Sequence, residues 1–234
     1  MFIFRGVGVL LSTLFFGTIS LIVSFFDKTG RKQARIARAW ARNLLWIGGV
    51  TVTVEGLDHL AEDGVYVVVP NHLSYYDTPV LLSSLPIQFR FMAKRGLFSI
   101  PLLGTHLSRA GHIPVDLDDA RAGVKTMNTA ANIIREKSIS VVVFPEGGRS
   151  RDGHLDEFKD GAAYIGIKSG ATVVPTALCG TAEVLPFGSG KIRAGHVSVK
   201  IGEPIETSHM HIKERHALTA RIRGQIVEML GDRV

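Results

Sequence analysis

Residues 65–80 read VYVVVPNHLSYYDTPV, and this stretch decides the fold. Its first six residues form an almost unbroken β-branched and aromatic run, as expected of a strand buried on both faces between helices. Pro79 suits the first turn of a helix. The chain therefore passes from a strand, through a short polar loop, into a helix that begins near Asp77. That succession is the repeating half of an α/β sheet.

Outward from it the same alternation continues. Strand-like runs occur at 50–56, 65–70, 88–94, 112–116, 139–146, 172–178 and 196–204. Helix-like stretches lie between and after them, at 78–85, 97–109, 118–137, 160–168 and 211–230. No internal repeat or long linker interrupts them, so residues 50–234 read as one α/β domain, a sheet covered by helices.

The sequence before this domain differs in kind. Residues 6–26, GVGVLLSTLFFGTISLIVSFF, hold no charge. As a helix at 1.5 Å per residue the run reaches about 31 Å, close to the roughly 30 Å hydrocarbon core of a bilayer. A cleaved signal peptide fits less well, because basic sequence follows and no A-x-A-like site adjoins the apolar run. Six bases and no acid lie between Lys28 and Arg42, against Arg5 alone before the run. By the positive-inside rule this places the domain on the cytoplasmic side of the cytoplasmic membrane. Over residues 31–47, Arg31, Arg35, Arg38 and Arg42 fall within about 60° on a helical wheel, with Ile36, Trp40, Leu44 and Ile47 roughly opposite. A helix lying in an anionic lipid surface needs such faces. A helix packed on the protein with a solvated arginine face shows the same pattern. Residues 1–49 are accordingly expected to be membrane-associated helices, either spanning or re-entrant.

The basic stretch also explains the net charge. The 234 residues carry 27 Lys and Arg against 21 Asp and Glu, a formal +6, and without those six bases 21 cations face 21 anions. So local an excess argues against a nucleic-acid partner. Cys179 is the only cysteine, which excludes an intrachain disulfide and a zinc site built on several thiolates. His209, His211 and His216 lie in a polar stretch opening the last helix and read as solvated, so no metal and no cofactor is expected. There is no G-x-S-x-G elbow, no G-x-x-x-x-G-K-[ST] loop, no G-x-G-x-x-G and no H-E-x-x-H.

Chemistry is sought at the strand ends. His72 and Asp77 would lie about 140° apart on a continuous helix and could not meet. In a loop running into a helix they can, and a carboxylate on one imidazole nitrogen leaves the other free as a general base. A capping aspartate beside an unconnected loop histidine fits the same letters. The second constellation is Phe144-Pro145-Glu146-Gly147-Gly148-Arg149-Ser150. Its glycines let the backbone approach a ligand, and Arg149 offers a planar fork for phosphate. Glu146 can hold that fork or accept from a substrate hydroxyl. A glycine turn with a surface ion pair is the plainer alternative.

In order along the chain, four blocks resemble the glycerolipid acyltransferase family, specifically bacterial PlsC-type 1-acyl-sn-glycerol-3-phosphate acyltransferases. They are NHLSYYD (71–77), GHIPVD (111–116) with MAKRGLFSIPLLG (92–104) before it, FPEGGRS (144–150) with FKDGAAYIG (158–166) after it, and VVPTAL (173–178). The resemblance spans roughly residues 50–205. It departs from the family pattern at Gly148, Leu117 and Gly96, where threonine, arginine and glutamate are usual. It implies a mixed sheet covered by helices, and acyl transfer from acyl-CoA or acyl-carrier protein to the sn-2 hydroxyl of lysophosphatidic acid, giving phosphatidic acid at a membrane. His72 and Asp77 would be catalytic, with Lys94, Glu146, Gly147, Arg149 and Ser150 binding substrate and Lys159 a further phosphate candidate. Leu117 keeps a different lysophospholipid acceptor open. A non-catalytic, membrane-bound lipid-binding protein is the reading from another class.

Overall fold

The computed structural model describes residues 2–27, 29–116, 120–150 and 154–231. Lys28 and Leu117 lie outside them. Two helices open the chain, α1 (Phe2–Ser24) and α2 (Arg31–Gly48). Seven strands follow: β1 (Val50–Glu55), β2 (Tyr66–Pro70), β3 (Phe89–Lys94), β4 (Ile113–Val115), β5 (Ser140–Val142), β6 (Thr172–Cys179) and β7 (Gly195–Ile201). The other helices are α3 (Asp77–Ser84), α4 (Leu103–Arg109), α5 (Ala120–Lys137), α6 (Gly161–Ser169), α7 (Thr181–Val184) and α8 (Arg215–Leu230).

The strands form one sheet in the order β1-β7-β6-β2-β5-β3-β4. Only β6 and β7 run antiparallel; the other neighbours are parallel. The sheet is thus mixed and covered by helices, as the resemblance implies. Alternate residues of the central strands feed two cores. Val68, Val142, Val174 and Leu178 join Leu45, Val80, Leu81 and Phe91 on the α2–α3 side. Val67, Val69, Val141 and Ala177 join Ala130, Ile165, Ile222 and Ile226 under α5, α6 and α8.

Residues 97–109 do not form one helix. A 3₁₀ turn at Arg95–Ser99 is followed by Ile100 in an extended conformation, and α4 starts only after Leu102, at φ +65. Pro101 is the cause, since it disfavours a helical conformation in the residue before it. The strand expected at 139–146 ends at Val142, and Val143 keeps one last ladder bond to the Val68 carbonyl, at 3.0 Å. Everything after it belongs to the site loop.

α1 and α2 pack as an antiparallel hairpin. Ser12 Oγ donates to Asn43 Oδ1 at 2.7 Å, Trp40 Nε1 donates to Thr13 Oγ1 at 3.1 Å, and Ile47 packs on Gly8. The apolar stripe of α2 is therefore spent on protein contacts, with Leu44 buried and Trp40 facing α1. Arg38 leaves the solvated face as well. Its Nη2 donates to the carbonyls of Leu85 (3.2 Å), Pro86 (3.1 Å) and Ile87 (2.5 Å), which closes the end of α3. What remains exposed is one side of α1, including Phe4, Leu10, Leu11 and Phe15, together with Trp46.

Candidate active site

The loops after β2 and β5 meet at the carboxyl ends of neighbouring parallel strands, where ligands bind in open α/β sheets. Asn71 fixes the first loop. Its amide donates to the Leu178 carbonyl at 3.1 Å and accepts from the Leu178 N–H at 2.7 Å, which clasps the end of β2 to β6. The next residue is His72.

Asp77 lies in the first turn of α3, fully buried. Its carboxylate turns back onto the preceding loop, where Oδ2 accepts from Leu73 N and Ser74 N, each at 2.9 Å, and from His72 Nδ1 at 2.8 Å. The two residues do meet, and Asp77 organises the whole loop rather than capping a helix alone. Nδ1 carries the proton in this pairing, so Nε2 is left with its lone pair and without a partner among the described residues. Burial pushes the His72 pKa below its ordinary 6.5; Asp77 opposes that shift and Arg149 adds to it. Phe144 stacks on the imidazole, with centroids 3.8 Å apart and planes inclined by 19°.

The loop after β5 is bound to the first through backbone and carboxylate. Glu146 accepts from His72 N through Oε1 and from Asp156 N through Oε2, at 3.2 Å for the latter. Burial, opposed by these two N–H donors and reinforced by Asp156 and Asp77, raises its pKa to about 7. The Ser150 N–H donates to the His72 carbonyl at 3.1 Å. Gly147, at φ +76, makes room for Lys159: a Cβ there would come within 2.9 Å of the lysine Nζ. Arg149 donates from Nε to the Ser74 carbonyl at 3.3 Å, and its Cζ lies 4.0 Å over the Tyr75 ring. Tyr75 in turn stacks on Phe187, 6.0 Å away. The two Nη groups of Arg149 have no hydrogen-bond partner among the described residues.

The structure therefore brings together His72, Asp77, Glu146, Gly147, Arg149, Ser150 and Lys159. Lys94, exposed at the end of β3, is joined to none of them by a hydrogen bond or ion pair; β5 separates its strand from β2. Asn71, Tyr75 and Phe144 stand inside the two quoted motifs, but letters carry no sign that they clasp, stack or hold. Phe187 sits in a glycine-rich loop with no signal at all. Cys179 is buried, in keeping with a packing role.

A family model described as Acyltransferase matches residues 51–179. The chain is 36% identical over 211 residues to the chloroplastic 1-acyl-sn-glycerol-3-phosphate acyltransferase LPAT1 of Arabidopsis thaliana, covering 89% of this chain and 57% of that protein. It is 39% identical over 186 residues to the BAT2 enzyme of the same name from Brassica napus, covering 78% and 53%. The chain thus spans little more than half the length of these plant relatives. Among solved structures, the 1-acyl-sn-glycerophosphate (LPA) acyltransferase PlsC from Thermotoga maritima superposes with a TM-score of 0.77 at 26% identity, covering 96% of this chain and 95% of that one.

Proposed function

The chain belongs to the acyltransferase family, and from that premise we propose that it acylates the sn-2 hydroxyl of 1-acyl-sn-glycerol-3-phosphate, giving phosphatidic acid. The acyl donor is a thioester, acyl-CoA or acyl-carrier protein. The names of the relatives support the acceptor, and the 2.8 Å His72–Asp77 pair carries the mechanism. His72 Nε2 takes the hydroxyl proton as the oxygen attacks the thioester carbonyl. The tetrahedral adduct collapses, its carbon–sulfur bond breaks, and the leaving thiolate receives that proton from the imidazolium. Asp77 stabilises the imidazolium while it exists. The free Nη groups of Arg149 hold the acceptor phosphate, with Lys159 beside them.

Membrane contact belongs to the same reading. Phe4–Ser24 is long and apolar enough to cross a bilayer, and only 11% of that window is buried. However, α1 is tied to the rest of the protein at both ends, through Arg5 Nη1 to the Ile192 carbonyl (3.2 Å) and Ser20 Oγ to His106 Nδ1 (2.8 Å). A helix fastened along its whole length favours lying in the lipid interface over standing across the hydrocarbon. In this reading the enzyme works at the surface in which a lysolipid resides, on the cytoplasmic side.

Thiol release tests the activity. Membranes holding the protein, acyl-CoA and lysophosphatidic acid should liberate thiol only when the acceptor is present, and His72→Ala should abolish the release. Release that ignores the acceptor, or survives in His72→Ala, would sink the reading. A panel of lysolipid head groups in the same assay tests the acceptor.

A further inference from the structure

We infer that Phe144 is a positioning residue for the base: its ring, face to face with the imidazole, sets the plane in which His72 presents Nε2 to the acceptor hydroxyl. The inference rests on the acyl-transfer reading above and extends it to a residue that touches no substrate.

One hydrogen bond cannot orient a ring. The Nδ1–Asp77 contact fixes the position of one atom, but the imidazole can still turn about that contact, because the terminal torsion of histidine lies in a broad well. Proton transfer from a bound hydroxyl needs the lone pair aimed as well as near. The Phe144 contact, 3.8 Å between centroids and 19° between planes, removes the remaining rotation. Phe144 is itself backed from β3 by Phe91, whose ring is parallel within 2° at 6.3 Å. Phe91 is buried and stands edge-on to Phe89. The column Phe91–Phe144–His72 thus carries rigidity from the core to the reacting atom. It also puts an aromatic face against the cation that forms in the reaction, and such a face attracts an imidazolium. The charged and titratable groups facing His72 are Asp77 from α3 and Arg149 and Glu146 from the loop after β5. None of them is altered by changing Phe144.

The experiment compares Phe144→Leu and Phe144→Tyr with wild type, using the full chain in lipid vesicles for kinetics and in micelles for NMR of labelled histidine. Phe144→Leu should lower kcat by about tenfold or more while KM for donor and acceptor stays near wild type. The acid limb of its pH profile should move down by roughly half a unit, as the cation loses its aromatic neighbour. The His72 ring-proton resonances should lose their upfield ring-current shift. Phe144→Tyr, which keeps the face, should restore all three. If Phe144→Leu keeps wild-type kcat, or if Leu and Tyr variants lose kcat alike, the positioning role is wrong. A joint loss of kcat, KM and melting temperature would mark a structural role and overturn it too. A wild-type chain without acyl transfer overturns the activity itself, whereas an active wild type with an indifferent Phe144→Leu overturns only the role of Phe144.

Discussion

Asp77 loads three donors onto one carboxylate oxygen, while the other, Oδ1, is buried without a partner. Asparagine cannot satisfy this arrangement in either orientation. With its oxygen in place of Oδ2 it leaves a buried NH₂ unpaired; with the NH₂ there it faces three N–H donors or forces the wrong imidazole tautomer. Asp77→Asn should therefore cut kcat by on the order of a thousandfold or more. Steady-state kinetics beside near-ultraviolet dichroism, to establish the fold, reads this out. His72 must be neutral to accept a proton, and its pKa lies below 6.5. Turnover should thus rise with pH through an acid limb whose midpoint lies below 6.5; a midpoint above 6.5 would contradict the assignment. Glu146 behaves oppositely for stability. Its folded pKa of about 7 exceeds the ordinary 4.5, so the folded state holds the proton more tightly than the unfolded chain. Its contribution to stability should fall as pH rises from about 4.5 to about 7. Denaturant midpoints across that range should drop in wild type and drop less in Glu146→Gln.

Between elements, the two site loops are bound mainly by side chains gripping backbone. Asn71→Ala would leave the buried N–H and C=O of Leu178 unpaired. It should cost about 2–4 kcal/mol of stability by chemical denaturation and loosen the loop that carries His72. Arg149→Lys keeps the charge but loses the Nε bond to Ser74 and the flat contact with Tyr75. The KM for lysophosphatidic acid should rise several-fold, with little change for a neutral acceptor. These grips mark where sequence reading runs out. Hydrophobic runs such as VYVVV and ISVVV announce strands because periodicity is local, and the spacing of His72 and Asp77 is short enough to close within one loop. The clasp of Asn71 on Leu178 spans 107 positions, and no local pattern encodes a partner so distant. The α2 stripe misleads for a related reason: protein and lipid both reward an apolar face, so its amphipathicity announced burial without saying in what.

For the molecule as a whole, the hairpin proposed to meet the membrane is also a roof over the domain. Leu45 of α2 shares a core with Leu81 of α3 and with Leu85 just beyond it, so deleting residues 1–49 would unroof the domain and confuse unfolding with detachment. Substitutions on the exposed side of α1 separate the two. Changing Leu10, Leu11 and Phe15, each at least 59% exposed, to serine should abolish flotation with vesicles while leaving the melting temperature nearly unchanged. Arg31, Arg35 and Arg42 are free to change to glutamine, whereas Arg38 is not, because it holds the end of α3. The triple variant should bind anionic vesicles more weakly at low salt and like wild type at high salt. Strand order has a consequence for biogenesis. Among the described residues β1 touches no strand but β7, whose first residue is paired with a residue 145 positions earlier. At 5–20 residues per second, translation leaves that edge without its neighbour for roughly 7–30 seconds. The greasy hairpin has by then already emerged, so the nascent chain must be shielded before its first strand can dock.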